Sequence, residues 1–442
     1  QKRSNYVPFV VVGRDGRVSG QAIMKLVEAT CLKYNIGILS LGTTTTPSVQ
    51  MAIVTEKPVP FEKCLGGIMV SASHNPIEWN GLKFLNNRGE FLCEKEGKQV
   101  FVINDSVLKK CRSEITINNK LPILMNSDNK LKVDSNYLNK HISKILELKD
   151  VNVAEIKSKK FKIVVDGINS SGGIYVPHLL EKLGVEVVKI NCEPNGLFAH
   201  NPEPIPLNLI DLCNKVKSNK ADLGIAVDPD VDRLVLVSED GAFFGEEYTI
   251  VAIAQYILNK HPKSSVVSNL STTQAVKDVA NAIGAQHFES KVGEANVVKI
   301  MKEKNSILGG EGSGGVIFSP LHLGRDALVG IALFLSYLTE LNISTKQLRS
   351  RLPSYFMLKE KFLVSNIVTT KSIIESIIKL CKKNKYKYSV LDGVKFHINT
   401  TSWAHVRPSN TEPLLRLIIE SNSRKGACDL KDFLTNCIKD NL

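Results

Sequence analysis

The sequence predicts an α/β fold in which three similar α/β domains with mixed sheets flanked by helices precede a smaller C-terminal α+β domain with an antiparallel sheet. Short β-branched apolar runs alternate with helical patterns up to residue 352. In that part, an order of strand, polar loop, helix and a strand ending in an unusual loop occurs repeatedly. After Pro353 the runs alternate between polar and apolar residues, as in antiparallel sheets. These patterns predict domains at residues 1–135, 136–240, 241–352 and 353–442.

Composition places the chain among globular proteins. It has 442 residues, 43% hydrophobic and 23% charged, which is enough for about three domains. No apolar run is long enough to span a bilayer, and the first residues lack the apolar core of a signal peptide. We therefore expect a cytoplasmic protein that does not bind membranes. The nine cysteines include no C-x-x-C pair, which favours reduced thiols over disulfides or a zinc site.

The net charge of +13 raises the question of nucleic-acid binding. The lysines form short scattered groups, and no basic block is interleaved with aromatic residues. A solvated basic surface is the better interpretation, and it favours anionic small molecules over nucleic acid as partners.

The expected helices and strands follow the chain in order. The first domain should contain strands at 7–12 and 36–41, a helix at 19–34, and an apolar strand ending before Ser73. The next two domains should contain helices at 136–148 and 249–258 and strands at 161–165, 185–190, 223–227, 266–268 and 306–308. The last domain should place strands at 356–364, 389–391, 394–398, 403–406 and 414–420 around a helix at 371–384.

The stretch Gly66–Pro76 predicts a buried strand that ends in a tight loop carrying Ser73 and His74. Pro76 disfavours the helical conformation for Asn75, and small polar residues follow the apolar run directly. At the end of a strand in an open α/β sheet, such a loop is where ligands bind. A serine hydroxyl there needs a base or a cation to act as a nucleophile. The alternative is an ordinary connection in which a serine caps the next helix.

Asp228, Asp230 and Asp232 lie in one turn between two apolar strands. Carboxylates this close repel one another unless a cation holds them, and hard oxygen ligands suit magnesium or calcium. The spacing is also that of an EF-hand loop with Glu239 at the twelfth position, but Arg233 replaces the required glycine and the flanks are strands. We therefore predict a magnesium site rather than an EF-hand or a solvated acidic turn.

Two further loops carry groups suited to a phosphorylated sugar. Residues 407–413 combine an arginine with hydroxyl and amide donors, which suits phosphate. A plain polar turn would explain the proline, serine and asparagine there but not Arg407. The glycine-rich loop around Glu311 and Ser313 offers a carboxylate that can accept two sugar hydroxyls, although alone it is more typical of a flexible glycine turn.

Taken together, these motifs resemble those of the α-D-phosphohexomutase family, which interconverts hexose 1-phosphates and 6-phosphates. The matching stretches, in the family's order across nearly the whole chain, are SASHNP followed by NGLKF, DPDVDR, GEGSGG and RPSNTEP. The chain is most similar to the phosphoglucosamine mutases and the phosphomannomutase/phosphoglucomutase members. This resemblance implies three similar α/β domains, a smaller fourth domain and an active site in a central cleft.

The resemblance also implies roles for individual residues. Ser73 matches the phosphoserine, which completes a magnesium shell with Asp228, Asp230 and Asp232. His74 and Arg233 match contacts to that phosphate, and Lys83 matches a group suited to proton transfer. The implied substrate-binding residues are Lys291, the sugar readers Glu311 and Ser313, and the phosphate clamp of Arg407, Ser409, Asn410 and Thr411.

The implied reaction is an intramolecular phosphoryl transfer. Phosphorylated Ser73 gives its phosphoryl group to a hexose phosphate, the hexose 1,6-bisphosphate turns round, and Ser73 takes back the other phosphate. Magnesium would make the phosphorus electrophilic and steady the leaving oxygen. We expect Mg²⁺ as cofactor, the bisphosphate as activator, a hexose phosphate as partner, and either a monomer or a homodimer.

Two departures from the family pattern bear on the substrate. Gly315 and Glu294 stand where many members have histidine, as in a branch often assigned as phosphoglucosamine mutases. We expect glucosamine phosphate, with mannose or glucose phosphate as the alternative. The chain also begins at Gln1 without a segment that normally supplies an arginine, so we expect a truncated or unusually short protein. A hexose-phosphate phosphatase and a catalytically silent sugar-phosphate sensor are the remaining alternatives.

Overall fold

The structure is a computed structural model that describes residues 7–58, 61–93, 95–100, 131–364, 367–409 and 414–439. The chain divides into two compact units. The first unit consists of Gln1–Thr249 and Gly314–Gln347, and the second consists of Ile250–Ser313 and Leu348–Leu442.

The first sheet lies in the first unit and has the strand order β4-β3-β1-β2-β5. Its strands are β1 (Val7–Arg14), β2 (Gly37–Thr43), β3 (Phe61–Val70), β4 (Leu82–Leu85) and β5 (Leu131–Val133), and the helices between them are α1 (Gly20–Lys33) and α2 (Thr46–Thr55). Strand β4 is antiparallel to β3, and the other pairs are parallel. Because β1 and β3 are parallel neighbours, the loops that follow them lie at the same edge of the sheet.

The second sheet, also in the first unit, has the order β7-β6-β8-β9. Its strands are β6 (Lys162–Asp166), β7 (Glu186–Ile190), β8 (Leu223–Val227) and β9 (Leu234–Ser238). The helices of this part are α3 (Tyr137–Leu146), α4 (Val153–Lys159), α5 (Gly172–Lys182) and α6 (Ile210–Ser218). Helix α7 (Glu246–Lys260) begins in the first unit and continues into the second after Thr249. Every residue of β8 and of the antiparallel β9 is buried, so the turn between them, with its three aspartates, is held at both ends by the core.

In the second unit, strand β10 (Ser265–Asn269) pairs in parallel with β11 (Gln286–Ser290) and β12 (Leu308–Glu311). Helices α8 (Ala275–Ile283) and α9 (Glu294–Lys304) connect these strands. The expected glycine-rich loop is shorter than predicted, because Gly309 and Gly310 continue β12. A Cβ at Gly309 would lie 2.3 Å from the sulfur of Met301, so a glycine lets this strand approach α9.

The chain then returns to the first unit with strand β13 (Gly315–Phe318) and helix α10 (Ala327–Leu341). Helix α11 (Thr345–Arg351) begins in the first unit and continues into the second after Gln347. Helix α10 is apolar and buried along nearly its whole length, which makes it a core helix. Among the described residues no single helix has the length and hydropathy to cross a membrane. Helices α10 and α11, bent by 86° at their junction, satisfy that test only as a pair.

The C-terminal sheet is antiparallel throughout and has the order β14-β18-β17-β16-β15. Its strands are β14 (Phe356–Leu363), β15 (Lys387–Ser389), β16 (Val394–His397), β17 (Trp403–Pro408) and β18 (Leu414–Ser421), and its helices are α12 (Ile367–Lys383) and α13 (Arg424–Lys439). Apolar residues of both helices pack on this sheet. The strand expected at 389–391 ends earlier, at Ser389, and Gly393 with φ of +67° lies in the turn before β16.

The predicted fold class is confirmed: three α/β domains with mixed sheets precede a C-terminal domain with an antiparallel sheet. The individual domain boundaries stay a prediction.

Candidate active site

Ser73 sits in a strained and buried loop directly after β3. Its φ is +50°, a left-handed conformation that is uncommon for residues other than glycine. Its backbone N–H donates to the hydroxyl of Ser71 at 2.9 Å, and its own hydroxyl donates to Oδ2 of Asp228 at 2.7 Å. The Nδ1 atom of His74 lies 3.4 Å from the same hydroxyl. The predicted phosphoserine position is thus adjacent to one of the predicted metal ligands.

Arg17 holds this loop in place, a role the sequence analysis did not assign. Its Nη2 donates to the carbonyls of Ser73 and Asn75 at 2.6 and 2.7 Å, and its Nη1 donates to the carbonyls of Pro76 and Trp79 at 2.6 and 2.8 Å. The guanidinium is 1% exposed, and its Nε donates to Asp15 at 3.1 Å. The only sequence signal was the polar Arg14–Arg17 run after β1, at the sheet edge where the Ser73 loop also lies.

The carboxylates of Asp228, Asp230 and Asp232 are fully buried, and their oxygens come within 4.8 Å of one another. Lys83 donates to Oδ2 of Asp230 at 2.5 Å and lies 3.4 Å from Oδ2 of Asp232. Thr46 also donates to Oδ2 of Asp230. The structure therefore brings together Ser73, Lys83 and the three aspartates; their roles stay a prediction.

The donor set of this cluster fits a magnesium ion. Within the part of the chain that the structure describes, Oδ1 of Asp230 and Oδ1 of Asp232 are buried and have no hydrogen-bond partner. A buried carboxylate oxygen without a partner is destabilising, so these two atoms are the groups that a cation would satisfy. All the ligands are hard oxygens, which magnesium prefers. Nε of Arg233 is also buried without a hydrogen-bond partner, 3.9 Å from oxygens of Asp228 and Asp232.

Burial and neighbouring charges shift the pKa values of the site. Burial, together with Asp232 and Asp230, raises the pKa of Asp228 well above its ordinary value. Burial would also raise the pKa of Asp232, but Arg325 and Lys83 outweigh it and hold that pKa low. Burial and the charge of Arg233 lower the pKa of His74 to about 2, so its imidazole is neutral at physiological pH. Burial opposes the charge of Lys83, yet Asp230 and Asp232 keep its pKa above the ordinary value.

Arg325 is a second residue that the sequence analysis missed. Its Nη2 donates to Oδ2 of Asp232 at 2.7 Å. A Cβ on Gly315 would lie 2.3 Å from Cδ of Arg325, so the arginine side chain occupies the space that a side chain at 315 would fill. The absence of a side chain at Gly315, where many family members have histidine, thus leaves room for the Arg325 side chain to pair with Asp232.

A second buried cluster in the first unit consists of His141, His322 and Asp326. Oδ2 of Asp326 lies 2.8 Å from Nε2 of His141 and 3.2 Å from Nε2 of His322. Its Oδ1 accepts from the N–H groups of Leu328 and Val329 and so caps helix α10. Nδ1 of His141 is 2.8 Å from the hydroxyl of Ser48.

In the second unit, two sets of hydrogen bonds connect the predicted substrate-binding residues Glu311 and Arg407 to the turn that follows Lys291. Oε1 of Glu311 accepts from the side chain of Asn269 at 2.8 Å and from the N–H of Gly293 at 2.9 Å. Asp392, which the sequence analysis also missed, accepts from the N–H of Val292 at 3.0 Å and from Nε of Arg407 at 3.2 Å.

The turn after Lys291 is thus hydrogen-bonded directly to Glu311 and, through Asp392, to Arg407. Ser313 follows β12 and is partly buried, whereas Lys291 is exposed. The N–H of Ser409 donates to the carbonyl of Leu414 at 2.8 Å. Asn410 and Thr411 lie outside the described residues.

Four domain models of one family match the chain in order. They are the phosphoglucomutase/phosphomannomutase α/β/α domains I, II and III at residues 2–106, 139–241 and 245–356, and the C-terminal domain at 368–436. A phosphoglucomutase/phosphomannomutase of Thermococcus kodakarensis is 32% identical over 424 residues, or 95% of this chain and 87% of that protein. The chain belongs to this family. It is a phosphohexomutase, an isomerase, as the sequence analysis predicted.

Other relatives extend these similarities. A phosphoglucosamine/phosphogalactosamine mutase of Sulfurisphaera tokodaii is 29% identical over 434 residues, covering 97% of this chain and 91% of that protein. A phosphoglucomutase/phosphomannomutase family protein of Burkholderia thailandensis has the same fold, with a TM-score of 0.81, 22% identity and coverage of 98% and 89%. The N-acetylphosphoglucosamine mutase of Aspergillus fumigatus, solved with GlcNAc-6P and magnesium, aligns with a TM-score of 0.58, 14% identity and coverage of 97% and 82%.

Proposed function

We propose that this phosphohexomutase interconverts hexose 6-phosphate and hexose 1-phosphate through a phosphoserine at Ser73, with glucosamine phosphate as the preferred substrate. One observation carries the proposal: the Ser73 hydroxyl is hydrogen-bonded to Asp228 at 2.7 Å, beside two buried carboxylate oxygens without partners. A nucleophile, a cation-binding group and a cationic lysine therefore meet within one unit.

Ser73 is suited to carry the phosphoryl group because its loop is fixed before any substrate arrives. Arg17 fixes four carbonyls of the loop, which keeps the hydroxyl oriented and lowers the entropy lost on reaction. His74 and Arg233 would contact the phosphate on Ser73. Because His74 is neutral, it can accept a hydrogen bond from a hydroxyl or donate one to a phosphate oxygen.

Asp228, Asp230 and Asp232, with the phosphate on Ser73, would hold Mg²⁺. When bound, the ion would neutralise charge on the phosphoryl group and make its phosphorus more electrophilic. Lys83 is protonated and lies partly buried against the carboxylates, so it would enter the reaction as a proton donor or as a positive charge near the departing oxygen.

The second unit would supply substrate recognition. Glu311 and Ser313 would bind sugar hydroxyls, while Arg407 and Ser409, with Asn410 and Thr411, would hold the phosphate that does not react. Lys291 would add a positive charge to the substrate-binding surface. A hexose 1,6-bisphosphate would be the intermediate, because the sugar must present each of its two ends to Ser73.

The preference for glucosamine phosphate is supported by Gly315 and Glu294 and by the names of similar proteins such as the Sulfurisphaera enzyme. The Thermococcus relative, at 32% identity, favours glucose and mannose phosphates as the alternative substrates.

The test is turnover with Mg²⁺ and the matching 1,6-bisphosphate on glucosamine, glucose and mannose phosphates. We expect the highest kcat/KM with glucosamine phosphate and no turnover by Ser73→Ala. The matched control is Ser71→Ala, which removes the neighbouring hydroxyl and should reduce the rate without abolishing it. Full turnover by Ser73→Ala would exclude the phosphoserine. Release of inorganic phosphate instead of isomerisation would indicate a phosphatase, and binding without turnover would indicate a sensor.

A further inference from the structure

A cavity of about 120 Å³ lies in the second unit, beside β11, β15 and β16. It is lined by basic groups, and neither Lys291 nor Arg407 is among its lining residues. Its charged and titratable lining residues are Lys277, Lys387, Lys395, His287, His397 and Glu289. The motifs of the proposed mechanism do not use these residues.

The charges at this cavity do not balance. Lys395 is 5% exposed, and its Nζ donates to Glu289 at 2.7 Å, so one lysine is paired with the single acidic lining residue. Lys277 and Lys387 lie on exposed positions of α8 and β15 at the same cavity. Two positive charges therefore exceed the acidic charge of the lining, which makes the cavity attractive to an anion.

Burial and the neighbouring lysines act on both histidines of the lining. Burial, with the charges of Lys395 and Lys277, lowers the pKa of His287 to about 4 against the opposing effect of Glu289. Burial and Lys395 likewise lower the pKa of His397 to about 4. Both rings are therefore neutral at physiological pH. A ring N–H and the hydroxyl of Ser389, both in the lining, are groups that can donate to oxygen ligands.

We propose that this cavity is an accessory site for a phosphate group, separate from the phosphate clamp around Arg407. A volume of about 120 Å³ holds several waters, since one water needs roughly 10–15 Å³ on this measure, so a tetrahedral oxyanion has room. Lysine ammonium groups are common partners of phosphate, and those at 277 and 387 can move onto the ligand because they are exposed.

One lining residue of the cavity, Thr272, also contacts Gly312, which directly follows Glu311 at the end of β12. The hydroxyl of Thr272 accepts from the N–H of Gly312 at 3.1 Å and donates to Asn269, whose amide donates to Glu311. Occupancy of the cavity would thus stiffen the loop next to the proposed sugar-binding residues.

Tryptophan fluorescence gives a direct assay of the full chain. The protein has two tryptophans, and the ring of Trp403 lies 4.4 Å from Nζ of Lys395. The substitution Trp79→Phe removes the other, whose side chain is 58% exposed. In this background we expect a saturable change in Trp403 emission on titration with inorganic phosphate or α-glucose 1-phosphate at constant ionic strength. The ligand with the lower Kd identifies whether free phosphate or a phosphate monoester is the natural occupant.

Lys277→Gln and Lys387→Gln should each weaken this binding about three- to tenfold, because each removes one uncompensated charge at the ligand. The matched control is Lys263→Gln, which makes the same charge change at an exposed residue outside the cavity lining and should leave the Kd unchanged. Arg407→Gln should also leave the signal unchanged. An equal response to chloride, an unchanged Kd in both lysine variants, or loss of the signal in Arg407→Gln would overturn the proposal.

Discussion

The described residues of the first unit form two buried clusters whose ligand atoms are close enough to hold a metal ion. The clusters differ in how their carboxylate oxygens are satisfied, although Nδ1 of His322 in the Asp326 cluster has no hydrogen-bond partner among the described residues. In the Asp326 cluster both carboxylate oxygens have partners, two histidine rings on one oxygen and two backbone N–H groups on the other. In the cluster of Asp228, Asp230 and Asp232, two carboxylate oxygens have no hydrogen-bond partner among the described residues. Both clusters are fully buried at their aspartates, so burial does not distinguish them.

We interpret this difference as that between a structural cluster and a cluster that binds a ligand. A buried carboxylate with all its hydrogen bonds fastens the elements around it, here α2, α3 and the start of α10. A buried carboxylate with free oxygens destabilises the fold and is retained for a ligand that binds it. Arg325 and Asp326 are adjacent residues, and each serves a different cluster.

The largest expected effect comes from Asp230→Asn. This change removes a carboxylate oxygen that the native fold leaves without a partner, so we expect kcat/KM to fall by at least about 10³-fold, consistent with losing several kcal/mol of metal-assisted stabilisation. The amide oxygen can still accept from Lys83 and Thr46, and losing one of three mutually repelling buried carboxylates offsets the weakened ion pair with Lys83, so the free energy of unfolding without Mg²⁺ should change by less than about 1 kcal/mol. Kinetics across a Mg²⁺ titration and denaturant unfolding measure the two quantities. A large loss of stability with normal kinetics would assign the cluster a structural role instead.

Asp326→Asn should have the opposite effect, lowering the stability of the fold while leaving the Mg²⁺ dependence of activity nearly unchanged. The amide cannot serve two imidazole donors and the helix cap equally, so we expect a loss of about 2–4 kcal/mol in the free energy of unfolding. The Mg²⁺ concentration for half-maximal activity should stay within about twofold of the wild-type value. Denaturant unfolding and the same Mg²⁺ titration provide the check. A selective change in Mg²⁺ dependence without loss of stability would mean that the two clusters act as one site.

Gly315→Ala should have a smaller effect, of about 1–3 kcal/mol on stability, because its methyl group would overlap Cδ of Arg325. Once displaced, Arg325 no longer neutralises Asp232, so the variant should bind Mg²⁺ more tightly in calorimetry. The matched control is Gly97→Ala, where a Cβ would meet no described atom within 4 Å. Because this glycine lies in a helical segment, alanine should not destabilise the fold, and the Mg²⁺ affinity should be unchanged. Equal Mg²⁺ affinity in wild type and Gly315→Ala would show that Arg325 does not compete with the ion.

The pH dependence of stability should differ in sign between the clusters when Mg²⁺ is absent. His141 and His322 outweigh burial and hold the pKa of Asp326 low, so its stabilisation is complete above the unfolded pKa of about 3.9 and is lost below it. The pKa of Asp228 is raised, so the folded state binds more protons than the unfolded state above pH of about 4, and stability falls as pH rises. Comparing wild type with Asp326→Asn and Asp228→Asn over pH 3–8 isolates each contribution, at most about 1.4 kcal/mol per pH unit. Shifts of the same sign would contradict the assignment.

Sequence reasoning found the parts of this site that are local in the chain. Three aspartates in one turn, and a serine directly after an apolar strand, are visible without any knowledge of contacts. Strand and helix order was equally readable, because hydrophobic periodicity and turn residues act over short distances.

The residues it missed act over long separations. Arg17 reaches Ser73 across 56 positions, Arg325 reaches Asp232 across 93, and His141 reaches Asp326 across 185. Nothing in the local pattern around an isolated arginine or histidine says which loop it will meet. The space that Gly315 leaves for Arg325 likewise exists only in the folded chain.

The central claim is that Ser73 carries the phosphoryl group on a loop preset against the three carboxylates. The most direct test is intact-mass and peptide mass spectrometry after incubation with Mg²⁺ and a hexose 1,6-bisphosphate. The account predicts one added phosphoryl group on Ser73 in the wild type and none in Ser73→Ala. A phosphoryl group on another residue, or turnover by a protein that never becomes phosphorylated, would contradict it.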